Sequence, residues 1–254
     1  MTKPLFEVCV DSYASCLAAK EGGGDRLELC ANLVIGGTTP SEHLFTQVRE
    51  LGIPANILIR PRFGDFLYDQ REFEQMAGEI ARFRDLGANG VVIGALTRDG
   101  DLDTVHLRQL MKDAGSMEVT LHRAFDMARD LKTSLEQAID LGFTTILTSG
   151  GKASAPKGSA VLAELNDQAA GQIRLMAGAG VNAGNIPGLY AQTGITAFHG
   201  SCRTGSVSSE MVYRNPEVNM GLPGFSEYEI MRTDPKEVAR CVRVVHNLNQ
   251  DSTA

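Results

Sequence analysis

Glu7 and Cys9 stand in the run E-V-C-V-D, and Glu28 and Cys30 in the run E-L-C-A. In an extended segment the two members of each E-x-C share one face, because side chains alternate along a strand. Glu7 and Glu28 are therefore candidate proton-transfer groups, and so are His122 in H-R-A-F-D and His199 in H-G-S-C-R. Arg60 and Arg62 flank Pro61 in R-P-R-F-G-D. Guanidinium groups match carboxylate or phosphate geometry, and the fixed φ of proline stiffens their spacing. Arg123, the glycines Gly178 and Gly180 of A-G-A-G-V-N, and Ser201 complete a candidate anion site, since backbone N–H groups and a hydroxyl can cradle an oxyanion. Each group also has a plainer reading. The charges could form a salt-bridged plug, the histidines could be hydrogen-bonded in the core, and the glycines could merely relieve crowding.

These positions belong to a regular alternation. Short β-rich runs lie at 6–10, 26–30, 56–60, 90–94, 118–122, 144–148, 173–177 and 196–200, a spacing of roughly 32 residues, one strand-helix unit. Amphipathic segments fall between them, at 71–86, 103–114, 131–141, 160–169 and 234–248. Glycine marks each of the seven helix-to-strand turns, from Gly22–Gly24 through Gly52, Gly87, Gly115, Gly142 and Gly171 to Gly194. The pattern predicts one α/β domain over 1–254, a closed (β/α)8 barrel of TIM type. A doubly wound open sheet is the alternative, but its G-x-G-x-x-G fingerprint is missing after the first run.

In such a barrel the chemistry sits where strands end. If Val8, Val10, Leu27, Leu29 and Ile59 face the helices, then Glu7, Cys9, Glu28, Cys30 and Arg60 face the lumen. Arg60, Arg62, Arg123, Lys152 and Arg203 all fall on the predicted rim of a chain whose net charge is −7, which points to a small anionic ligand. The stretch 203–233 is long enough for a lid, a binding loop or an interface.

The acidic balance, with no basic stripe, argues against nucleic acid. The longest apolar runs are too short for a membrane span, and the N-terminus has no apolar signal core. Five cysteines with no C-x-x-C argue against a disulfide framework or zinc knuckle and for reduced thiols. Cys9 and Cys30, on adjacent strands about 4.8 Å apart, could together hold Cu(I). Alternatively they are two small buried side chains. No motif for an organic cofactor stands out.

The blocks E-V-C-V-D-S, G-G-x-D-R-L-E-L-C, G-G-T-T-P-S, I-R-P-R-F-G-D-F-x-Y, H-R-A-F-D-M, L-T-S-G-G, M-A-G-A-G-V and Y-R-N resemble those of the CutC family of copper-homeostasis-type proteins. The resemblance runs from Phe6 to about Asn247, with small departures at Gly24, Gly151 and Gly200. It implies a cytoplasmic barrel that self-associates, as a dimer or tetramer, and binds Cu(I) through Cys9 and Cys30. Two functions stay open: a Cu(I)-binding homeostasis protein, and an enzyme acting on a small anionic or phosphorylated metabolite at the barrel mouth.

Overall fold

The computed structural model describes residues 3–222 and 224–248. Eight parallel strands close a barrel in sequence order: β1 Leu5–Val10, β2 Arg26–Leu29, β3 Ala55–Leu58, β4 Gly90–Ile93, β5 Glu118–Leu121, β6 Thr145–Thr148, β7 Arg174–Ala177 and β8 Ala197–Gly200. The seam is β1 against β8, in register from Leu5 opposite Ala197 to Val8 opposite Gly200. Eight helices surround it: α1 Tyr13–Glu21, α2 Glu42–Arg49, α3 Gln70–Asp85, α4 Thr104–Ala114, α5 Leu131–Leu141, α6 Ser159–Ala169, α7 Ile186–Thr193 and α8 Pro235–Asn247. This is the expected (β/α)8 barrel.

Local chemistry explains the elements. In α3, Asp69 caps the N-terminus and Glu72 reaches back to the Asp69 amide, while Phe73, Met76, Ile80 and Phe83 form its buried stripe. Periodicity did not single out α1, α2 or α7: α1 is alanine-rich, and α2 and α7 are only eight residues long, α7 with a proline in its first turn. At the end of α5, Gly142 takes φ 87°, the left-handed cap that a side chain would resist. Val8, Val10, Leu27, Leu29 and Ile59 pack outward against the helices, so the expected alternation holds.

The lumen is part apolar and part ionic. Leu147, Met176 and Ala197 form one buried patch, and Cys30, Leu58 and Val92 another. Between them Arg26 crosses the barrel. Its Nε lies 2.6 Å from Glu7 on β1, and its Nη1 lies 2.7 Å from Glu118 on β5. An ion-pair network thus fills the barrel floor, but of Glu7, Glu28, Arg60 and Arg62 only Glu7 takes part in it, paired with Arg26.

The long insert before α8 is not irregular throughout. It carries an antiparallel pair, β9 Ser206–Ser208 with β10 Glu229–Met231. Three-residue strands are too short to show a period in sequence. Among the described residues, no helix is long and apolar enough to cross a membrane.

Candidate functional site at the barrel mouth

Above the ionic floor, the C-terminal strand ends and their loops enclose a cavity of about 740 Å³. One polar group of its lining joins three strands. Cys9 on β1, Glu28 on β2 and His199 on β8 each bring one potential ligand atom within 4.8 Å of the others. The register makes this possible: Cys9 is the direct partner of Glu28, and Glu7 that of His199.

Hydrogen bonds orient the group. His199 Nδ1 donates to Glu7 Oε1 at 2.9 Å, and Nε2 lies 3.6 Å from Glu28 Oε2. Burial raises the Glu7 carboxyl, but Arg26 and His199 more than reverse this and bring it down to about 2. Burial would make His199 less basic, yet Cys9, Glu28 and Glu7 beside it hold its pKa well above the ordinary histidine value. Burial pushes the Glu28 carboxyl up, against the pull of His199. Cys30 is fully buried, with its thiol 3.5 Å from Glu28 Oε2; burial, then Glu28, push that thiol well above the usual range. Cys30 follows β2, so it stands further along the strand than the level of Cys9 and Glu28.

The other wall carries Arg60 and His122. Arg60, 6% exposed, donates from Nη1 to the Gly37 carbonyl at 3.0 Å and from Nη2 to the Gly64 carbonyl at 2.7 Å. No carboxylate pairs with it among the described residues. His122, 5% exposed, accepts the Ala124 amide at Nδ1, which places its proton on Nε2. Burial and then Arg60 pull His122 down to about 3, so the ring is neutral. Gly94 makes room for it: a Cβ there would lie 2.6 Å from the imidazole.

Of the expected rim, Arg123 and Arg203 line the cavity but are matched, Arg123 by Asp126 at 2.7 Å and Arg203 by Asp11. Arg62 and Lys152 lie outside the cavity wall. Arg62 is 2.5 Å from Glu72 and 3.1 Å from Asp65, and it ties the 61–69 loop to the start of α3. Gly180 and Ser201 line the cavity, whereas Gly178 does not. A Cβ at Gly178 would meet Leu147 at 2.6 Å, so this glycine serves packing beside His199. Glu7 belongs to the floor beneath the cavity.

Several participants were not singled out from sequence. Arg26 shares the inward parity of Glu28 and Cys30, and that signal was present. Asp126 fixes the β6 loop by accepting from Thr148 Oγ1 at 2.6 Å and from the Ser149 and Gly151 amides. Cys202 and Cys241 line the outer part of the cavity. Only the folded chain brings them to it, because one follows β8 and the other lies on α8.

Comparison with known proteins places this architecture. The CutC family profile matches residues 4–204. A CutC family protein of Chromobacterium violaceum is 49% identical over 92% of this chain and 95% of its own, and one of Bacteroides fragilis is 47% identical over 94% and 96%. The crystal structure of CutC from Streptococcus agalactiae, which carries a copper-homeostasis name, superposes with a TM-score of 0.75 at 32% identity over 78% of this chain and 98% of that one. A thiamine phosphate pyrophosphorylase of Pyrococcus furiosus, 12% identical with a TM-score of 0.57, shares the fold alone. The chain belongs to the CutC family.

Proposed function

We propose that this protein binds Cu(I) at the floor of the barrel mouth and serves copper homeostasis in the cytoplasm as a homo-oligomer. The observation that carries the reading is the convergence of Cys9, Glu28 and His199 within 4.8 Å. Thiolate and imidazole are donors that suit Cu(I), and the copper-homeostasis name of the streptococcal relative agrees with this. Glu7 behaves as an outer-shell carboxylate. It occupies Nδ1 and so leaves Nε2 of His199 as the donor atom. Cys30 supplies a second thiol beside Glu28. Because His199 and the thiols must give up protons to become ligands, affinity falls as pH falls. A competitive titration against a Cu(I) chelator tests the reading. Cys9→Ser and His199→Phe are each expected to weaken binding by at least about tenfold, or 1.4 kcal/mol. Unchanged affinity in both variants contradicts it.

A second reading is favoured by a different observation, the unmatched guanidinium of Arg60 in the same cavity. On that reading the mouth receives a small anionic metabolite, with Glu28 and His199 available to move protons.

A further inference from the structure

The charges around the cavity do not balance evenly. Arg123 is neutralised by Asp126, Arg203 by Asp11 and His199 by Glu7. Glu237 is matched by Arg240, and Glu28 adds an acidic group to the wall. Arg60 is the cation of the lining with no carboxylate partner among the described residues. Its guanidinium has five N–H groups, and the Gly37 and Gly64 carbonyls each engage one. Nε of Arg60 and Nε2 of His122 have no hydrogen-bond partner, and neither has the Tyr68 hydroxyl, which Arg60 approaches. Arg60 and His122 are more than nine-tenths buried and line the cavity.

One aromatic ring holds these two groups together. Cζ of Arg60 stands 4.9 Å from the centroid of Phe66, and the His122 ring packs on the same Phe66 at 4.9 Å. A fixed cation beside a neutral N–H donor is complementary to one planar anionic group. Buried donors without partners are costly, so a ligand that supplies acceptors is favoured there. Leu33, Leu58 and Leu147 give the rest of the cavity an apolar wall.

We propose that the barrel mouth binds a small monocarboxylate, with the carboxylate at Arg60 and the His122 Nε2–H and a short aliphatic body against the leucines. A phosphate dianion fits less well. Arg60 offsets one negative charge, and the second would lie buried beside Glu28 with the cations Arg123 and Arg203 of the lining already matched. The proposal rests on the second reading above, narrows it to a ligand class, and is independent of copper.

Calorimetric titration of the full-length protein with butanoate and 2-oxobutanoate, and separately with inorganic phosphate, tests it. The expected result is one carboxylate per chain, bound more tightly than phosphate. Arg60→Lys, which keeps the charge but loses the planar fork, should weaken carboxylate binding by at least about tenfold. His122→Phe, which keeps the packing on Phe66, should weaken it several-fold and serves as the second variant if Arg60→Lys disturbs the Gly37 and Gly64 loops. Phosphate binding that exceeds carboxylate binding and depends on Arg60 overturns the ligand class while leaving an anion site in place. Absence of binding by any of these probes, or carboxylate binding indifferent to both variants, overturns the anion reading as well.

Discussion

His199 Nδ1 lies 2.9 Å from Glu7 Oε1, although 192 residues separate them in sequence. The contact spans the seam where the last strand of the barrel meets the first. Arg26 and His199 keep Glu7 ionised, so Nδ1 of His199 must be the donor and Nε2 faces Cys9 and Glu28. A residue of the structural floor thereby sets the tautomer and angle of a residue in the candidate site.

Glu7→Gln should therefore act through His199. The amide retains shape but loses charge, so the His199 pKa is expected to fall toward the ordinary value as one of its stabilising partners disappears. Cu(I) affinity should drop by about 10- to 100-fold, the usual consequence of losing an outer-shell carboxylate. Histidine chemical shifts followed against pH, with and without Cu(I), read both effects. A structural role alone would leave the His199 titration where it was.

Arg26→Met should destabilise the fold by about 3–5 kcal/mol, because the fully buried Glu7 loses its guanidinium. Glu7→Gln combined with Arg26→Met should recover part of that loss, since no unpaired carboxylate then remains at Glu7. Urea unfolding of the two single variants and the double variant measures the coupling. Strict additivity would show that the pair is not a unit.

Stability should fall in acid earlier than carboxylates alone would cause. His122 is held neutral down to about 3, while the unfolded chain protonates near 6.5. The unfolded state therefore binds more protons between those values, and stability declines as pH falls through that window. Glu7 adds a second loss as pH drops from 4.5 toward 2. His199 has the opposite sign: its raised pKa contributes stability below about 6.5 that disappears as pH rises through the folded value. Replacing His122 with Phe should flatten the decline between pH 6.5 and 4.5, on the order of a few kcal/mol at pH 4.5. Chemical denaturation at a series of pH values shows whether it does.

The barrel was legible in the sequence because two local signals agree: period-two alternation at Val8, Val10, Leu27 and Leu29, and glycine after each of the first seven helices. The same parity put Cys9, Glu28 and Arg60 into the lumen. It also applied to Arg26, which begins its strand at the level of Glu7 and so belongs to the floor. The level of each residue is another matter. That Cys9 faces Glu28 and not Cys30 follows from the stagger between strands, a long-range property no local pattern encodes. Arg62 illustrates a second limit. It flanks the same proline as Arg60, yet its loop folds it back onto Glu72, a loop-to-helix contact without periodicity.

X-ray absorption at the copper edge of the Cu(I)-loaded protein tests most directly whether Cys9 and His199 hold Cu(I) together. The expected result is one copper per chain, coordinated by sulfur and imidazole nitrogen, with loss of the nitrogen contribution in His199→Phe. A first shell unchanged by His199→Phe, or failure to retain stoichiometric Cu(I), would contradict it.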